Sequence, residues 1–363
     1  MTSSRLPGRY LPPSKSILKK IDPLPADPAP PFERGCRAGK ERILEYGSLE
    51  DMAAPSPERT AAAPRRVRMK AGGGQKPLEV VMHGLFLLCG ILAVGFVLVI
   101  SVYLIVSGVP AIRQIGLWNF LTGEVWEPTA TTRDPSFGIL PFILTSVYGT
   151  AGAILIGVPV GLFTALFLAK VAPPKVARII RGAVELLAGI PSVVYGLVGM
   201  IVLVPAIQKT FQLSSGACLL AAIVVLAVMI LPSIVNVSET AINAVPKEYE
   251  EASLALGATK METLFRVTLP AARSGVAAAV VLGVGRAIGE AMAIVMVAGN
   301  VSNMPSLLTG VRFLTTAITS GMSYAAVGSL YQQALFSIGL VLFLFIMLIN
   351  ALLNLFIKRK KEG

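Results

Sequence analysis

The sequence is poor in the side chains that catalysis and metal binding draw on most. Its 363 residues contain one histidine, His83, and three scattered cysteines, Cys36, Cys89 and Cys218. No metal-ligand spacing and no disulfide framework follows from these. With one histidine there is little from which to build a nucleophile–base pair, so hydrolytic catalysis is disfavoured. No Gly-x-x-x-x-Gly-Lys-[Ser/Thr] loop occurs, and no cofactor or metal is expected on this chain. Charged residues are also scarce, at 14%.

Apolar residues fill the space, at 54% of the chain with a mean hydropathy of +0.73. Runs of about 20 apolar residues are long enough to cross a bilayer as helices. Six are legible: Leu78 to Val106, Ile139 to Ala169, Ile179 to Ile207, Ala217 to Val237, Ala271 to Ala298 and Ala334 to Ile357. The expected fold class is therefore all-α, a polytopic membrane protein with six transmembrane helices. Gly149, Gly152, Gly157 and Gly161 in the second run, and Gly275, Gly283, Gly285 and Gly289 in the fifth, predict close helix contact. His83 falls at the start of the first span, an interfacial position.

Residues 1–76 differ in kind, being rich in Pro, Ala, Gly and charge, with 15 Lys and Arg against 8 Asp and Glu. They read as a disordered, basic cytoplasmic tail, or as an over-extended start preceding Met52 or Met69. No apolar core follows Arg5 or Lys19, so they do not read as a signal peptide. The membrane body is 77–363, with its most polar connection at 238–270.

The basic residues orient the helices. Lys170, Lys175, Arg178 and Arg181 join spans two and three, and Lys247, Lys260, Arg266 and Arg273 join four and five. Lys358, Arg359, Lys360 and Lys361 close the chain, while the opposite connections offer only Arg113, Arg133, Lys209 and Arg312. Both termini are expected to be cytoplasmic. Charge clustered beside spans also argues against nucleic acid as a partner. Two outer connections are long, from Gly108 to Gly138 and from Asn300 to Gln333. The first carries Trp118 and Trp126, rings suited to a membrane interface.

The polar connection has its own helical signals. Pro246 suits a first turn, and Glu248, Glu250 and Glu251 favour the positive end of a helix. Gly257 predicts a stop. Thr259 and Glu262 stand at capping-box spacing, so a second short helix begins there. The series Glu251-Ala252-Ser253, Gly257, Val267 and Leu269-Pro270 resembles the EAA loop of ABC-importer permeases, E-A-A-x3-G-x9-I-x-L-P. Ser253 and Val267 are its two conservative departures. The resemblance implies a type I (MetI-like) importer permease whose loop, with Glu250, Glu251, Ala252, Gly257 and Ala258, docks on an ATP-binding subunit.

Arg286 and Glu290 are charges inside the fifth run, four apart and expected on one helical face. An arginine or aspartate at the centre of a membrane helix costs about 2.5–3.5 kcal/mol, so such groups usually face a bundle interior or an aqueous path. One reading is an intrahelical ion pair bracing the bundle, although Arg before Glu is the weaker order. The other is an anion path, with Gly283, Gly285 and Gly289 leaving room for a ligand. A guanidinium presents a planar fork to an oxyanion. A nearby carboxylate would repel sulfate, whereas hydrogen phosphate keeps an O–H that the carboxylate can accept.

Gly285-Arg286-Ala287-Ile288-Gly289-Glu290-Ala291-Met292-Ala293 and Ala298-Gly299-Asn300 resemble the G-R-A-I-G-E-T-M-A and A-G-N signatures of PstC-type phosphate ABC-importer permeases. Glu185 to Gly196, ELLAGIPSVVYG, resembles the same family's third span, and Leu254 to Lys260 its coupling loop. Ala291 stands where the pattern has Thr. The resemblance implies substrate translocation through Arg286 and Glu290 in a bacterial plasma membrane. It also implies four kinds of partner: a second, homologous permease, two ATP-binding subunits holding ATP and Mg, an extracytoplasmic phosphate-binding protein, and membrane lipid. The alternatives are a permease for sulfate or phosphonate, or an ion-coupled secondary transporter using the two charges as a relay.

Overall fold

The computed structural model describes residues 77–129 and 134–359. The tail, Arg133, Lys360 and Lys361 lie outside the described residues. Helix α1 (Pro77–Ile115) opens with proline at its first position, where a missing N–H costs nothing. A short α2 (Leu117–Thr122) and a two-stranded antiparallel ribbon follow, β1 (Trp126–Glu127) on β2 (Ser136–Phe137), with Trp126 paired to Phe137. This ribbon is the one departure from an all-helical fold among the described residues. It buries Trp126 edge-on against Phe137, Phe142 and Tyr331, so Trp126 is a core ring and not the interfacial one expected. Trp118 stays exposed, as an interface ring should.

The body continues with α3 (Leu140–Leu166), α4 (Pro174–Gly189), α5 (Ser192–Val198), α6 (Val204–Phe211) and α7 (Leu219–Asn243). Then come α8 (Lys247–Ala255), α9 (Lys260–Thr263), α10 (Leu269–Ala271), α11 (Arg273–Gly289), α12 (Met292–Val297), α13 (Leu314–Met322) and α14 (Leu330–Arg359). Wider π turns at Phe167–Val171, Gly199–Leu203 and Leu264–Thr268 extend three of these helices without ending them. Among the described residues five helices are long and apolar enough to cross a membrane, and six when 260–271 and Arg273–Gly289, bent by 70°, count as one crossing.

Helix α7 is the most enclosed, and α3 and α11 flank it. The glycines make this possible. A Cβ on Gly152, Gly157 or Gly161 would lie within 2.7–2.8 Å of Ile223, Ile230 or Ile234. Residue numbers rise together along the α3–α7 contact, so these two helices run parallel. Gly275 meets Ala241 and Gly283 meets Ile234, so α11 runs antiparallel to them. The connection after α12 seals one end of α7: the N–H groups of Cys218, Leu219 and Leu220 donate to the carbonyls of Val297, Thr309 and Leu307. Helix N-termini carry unpaired donors, and here the end of α12 and the loop after it supply acceptors for three N–H groups. At the outside of the bundle α1 packs on α14, where Ser337 donates to the Gly108 carbonyl at 2.6 Å and Tyr103 meets Phe336 edge-on.

Three expected boundaries change. The third crossing is Ser192–Phe211, not Ile179 to Ile207, because Ile190 and Pro191 adopt extended backbone and detach α4. That helix is amphipathic, with polar residues interleaved among its apolar ones, and Glu185 lies on it, exposed and outside the crossing. Helix α7 persists to Asn243, so the polar connection begins at Ala244 and not at 238. The fifth run is not one helix: α11 stops at Gly289 and α12 starts at Met292. The connection 300–333 also holds α13, buried against α14.

Candidate functional site

The expected helix–elbow–helix is present at the C-terminal end of α7. Pro246 caps α8, with Glu248 and Glu250 in its first turn. Gly257, at φ +86°, ends it in a Schellman motif: the Gly257 N–H donates to the Leu254 carbonyl and the Ala258 N–H to the Ser253 carbonyl. The capping box forms as well, the Glu262 N–H donating to the Thr259 hydroxyl and the Thr259 N–H to a Glu262 carboxylate oxygen at 3.0 Å. Those two Thr259 donors, backbone first and hydroxyl second, hold the Glu262 carboxyl below the usual carboxylate range.

The five residues expected to act here do not share one role. Glu250 turns inward, in an ion pair with Lys170 at the end of α3 and accepting from the Thr268 hydroxyl. Ser253 and Thr263 meet through their hydroxyls at 2.9 Å. These bonds fasten α8 to the bundle. Glu251, Ala252 and Gly257 are exposed, and Ala258 is half-buried. Tyr249, Leu254, Leu256 and Met261 are exposed beside them, Leu256 at 90%. Large apolar side chains gathered on a polar segment form an exposed patch of the kind found at contact surfaces.

The second constellation is the interruption between α11 and α12. Glu290 has extended backbone and lies beyond the end of α11, so Arg286 and Glu290 do not share a helical face. No salt bridge joins them among the described residues. The alternative of an intrahelical pair is not what forms, because the helix that would carry it ends between them. Each charge instead serves a different helix end. Arg286 sits in the last turn of α11, where the dipole is negative. Glu290 sits before α12, and its carboxylate accepts from the Ala293 N–H at 3.0 Å. Its own carbonyl accepts from the Thr315 hydroxyl at 2.7 Å, tying the break to α13.

The structure also brings together the two stretches singled out in spans three and five. Helix α5 packs on α12, and a Cβ on Gly196 would sit 2.8 Å from the Ala293 Cα. The Tyr195 hydroxyl donates to the Leu187 carbonyl at 2.6 Å, bridging the break at Pro191. Gly283 is filled by Ile234, whereas Gly285 and Gly289 face open space and Arg286 is exposed. Room for a ligand therefore exists beside Arg286 on one side only. Gly196→Val is expected to force α5 off α12 and lower stability by about 1–3 kcal/mol, the usual range for overpacking. A thermal melt of the detergent-solubilised protein, unchanged by the substitution, would contradict this packing.

Sequence reasoning missed one charge cluster. Glu239 of α7 is buried, and Arg181 of α4 donates to it through Nε at 2.7 Å while Nη2 lies 2.6 Å away. Glu239 looks like one polar residue in a helix end, and its signal was only that an acid four residues before Asn243 lay on the apolar stripe of α7. The pair anchors the detached α4 against the bundle.

Residues 157–362 match the family described as binding-protein-dependent transport system inner membrane component. Over 271 residues the chain is 41% identical to the "Probable ABC transporter permease protein YqgH" of Bacillus subtilis (strain 168), covering 73% of this chain and 87% of that protein. Over 287 residues it is 35% identical to the "Phosphate transport system permease protein PstC" of Mesorhizobium japonicum, covering 72% and 86%. A chain from the crystal structure of a bacterial alginate ABC transporter matches it at a TM-score of 0.50 and 16% identity, over 78% of this chain and 96% of that one. That likeness concerns the fold alone.

Proposed function

The chain belongs to the binding-protein-dependent transport system inner membrane component family and is a multi-pass ABC permease; from that premise we propose that it carries inorganic phosphate into the cytoplasm. The observation that supports this cargo is the interrupted fifth crossing, which exposes a guanidinium and holds a carboxylate at two neighbouring helix ends. The names of several relatives agree with it. A guanidinium binds an oxyanion through a planar fork of donors. The Glu290 carboxylate accepts the proton that hydrogen phosphate retains and sulfate lacks.

In this reading both termini and α8 face the cytoplasm, where the excess of Lys and Arg lies. The exposed apolar side chains of α8 and α9 dock on an ATP-binding subunit. The open side of α11 faces a second, homologous permease, so that the anion passes between the two. A phosphate-binding protein delivers from the opposite side. ATP binds to the partner subunits, and this chain contributes no catalytic residue. Helix α11, at 1.5 Å per residue about 25 Å long, is the lever between docking surface and anion path. The 70° bend at its start converts movement of 260–271 into movement of Arg286.

The test is uptake into vesicles holding the whole complex, with radiolabelled phosphate and sulfate compared at equal concentration. ATP-dependent phosphate uptake with little sulfate uptake is expected. Preferential sulfate uptake would assign the other oxyanion, and uptake driven by an ion gradient without ATP would overturn the reading.

A further inference from the structure

A second guanidinium stands at the far end of the bundle. The turn after α12 places Gly299 at φ +87° and Asn300 at φ +51°, and this bend turns Asn300 toward Arg312. Arg312 Nε donates to the Asn300 Oδ1 at 2.8 Å, and Nη2 donates to the Asn300 carbonyl at 2.7 Å. The Asn300 amide is fixed in turn, donating to the Ser320 hydroxyl at 3.1 Å. The guanidinium lies 5.9 Å from the centre of the Phe142 ring. Arg312 is thus held in one place before any ligand arrives, which lowers the ordering cost of binding. It is half-buried, and among the described residues no carboxylate pairs with it. Among the described residues its Nη1 donates no hydrogen bond.

That guanidinium lines a cavity of about 610 Å3 together with Trp126, Glu127, Ser302, Tyr324 and Tyr331. The hydroxyls of Thr129, Ser302, Tyr324 and Tyr331 and a cation are donors suited to an oxyanion, and Glu127 is an exposed carboxylate beside them. The same combination of guanidinium and carboxylate lines the interruption at Arg286 and Glu290. The connection that bears Arg312 covers the N-terminal end of α7, whereas α8 follows its C-terminal end. The cavity is therefore on the side opposite the docking segment.

We propose that this cavity is a first waiting site for hydrogen phosphate, occupied after delivery and before the anion reaches Arg286. The proposal rests on the phosphate reading above. The anion spends its hydration on Arg312 and the hydroxyls of Tyr324, Tyr331 and Ser302, and its own O–H is accepted by Glu127. The same guanidinium chemistry could be met by a carboxylate of the delivery protein, and the test separates the two sources.

The experiment uses the complete complex in vesicles with the phosphate-loaded delivery protein outside, comparing wild type with Arg312→Gln, Arg312→Lys and Glu127→Gln. Uptake is followed against delivery-protein concentration, with a thermal melt of each complex. For Arg312→Gln the maximal rate should fall about tenfold, the scale of one charge-assisted hydrogen bond, at an unchanged half-saturating concentration. Arg312→Lys should recover part of the rate, and Glu127→Gln should let sulfate inhibit phosphate uptake more strongly. A raised half-saturating concentration at normal maximal rate would make Arg312 a clamp for the delivery protein and overturn the proposal. So would wild-type uptake by Arg312→Gln, or losses in both arginine variants that merely follow a lowered melting temperature. If Arg312→Gln does not assemble, Glu127→Gln decides, and unaltered sulfate inhibition counts against the site. A wild-type complex that takes up no phosphate overturns the substrate reading and this one with it, whereas normal wild-type uptake matched by Arg312→Gln overturns this one alone.

Discussion

Arg286→Gln is expected to cut phosphate uptake by about a hundredfold while the complex still assembles, since a preorganised donor to an oxyanion is worth about 10²–10³ in rate. Glutamine keeps polarity and reach but loses the charge and the fork. Because Arg286 is exposed and has no ion-pair partner among the described residues, its removal strands no buried carboxylate. Glu290→Gln is expected to be milder. The amide oxygen can still accept from the Ala293 N–H, so α12 keeps its cap, while an amide no longer repels sulfate. Because both groups are proposed to meet one anion, the double variant is expected to be at least as impaired as Arg286→Gln alone. Uptake and melting temperature measured for both singles and the double decide the matter. If the double variant recovers what the singles lose, the charges brace each other and do not line a path.

The second large effect lies at Gly257. Its φ of +86° is closed to proline, and Gly257→Pro also removes the N–H that bonds to the Leu254 carbonyl. The elbow between α8 and α9 cannot then form. Gly257→Ala, with open space around its Cβ, meets only the left-handed backbone cost of about 1–2 kcal/mol and should be the graded version. For Gly257→Pro the spans remain inserted, ATP hydrolysis by the partner subunits persists at its basal level, and phosphate uptake falls by roughly tenfold or more, equivalent to at least about 1.4 kcal/mol of lost coupling. Glu251→Lys, reversing an exposed charge on α8, should uncouple in the same sense. Normal substrate-stimulated ATPase with normal uptake in both variants would remove the docking assignment.

Much of this architecture was legible in the sequence because its signals are local. Thr259 and Glu262 form their box three residues apart, and Gly257 ends α8 through its own backbone. The spans stood out through sheer apolar length, and Gly152, Gly157 and Gly161 marked the close contact of α3 with α7. Breaks inside apolar runs were harder to see. Gly289 carries a stop signal, but so do Gly275, Gly283 and Gly285 in the same run, and the break is completed by Thr315, 25 residues away from Glu290. The four-residue spacing of Arg286 and Glu290 therefore pointed to a shared face that the chain does not have. Pro191 was visible, but whether it kinks a span or detaches α4 depends on Arg181 reaching Glu239. Trp126 was misplaced for the same reason: its ring is enclosed by Phe142 and Tyr331, which lie on two later helices.

The pairing of α1 with α14 bears on how the chain is made. Synthesis delivers α1 to the bilayer first and α14 last, so its main partner among the spans does not exist until translation ends. A helix with an apolar stripe and a polar face would be a poor lodger there, but α1 shows apolar side chains on every side from Val81 to Val106 and is long enough to cross unaided. What it offers α14 includes the Tyr103 ring, met edge-on by Phe336, and the Gly108 carbonyl, which accepts from the Ser337 hydroxyl. The first span is built to wait, and the last one to find it.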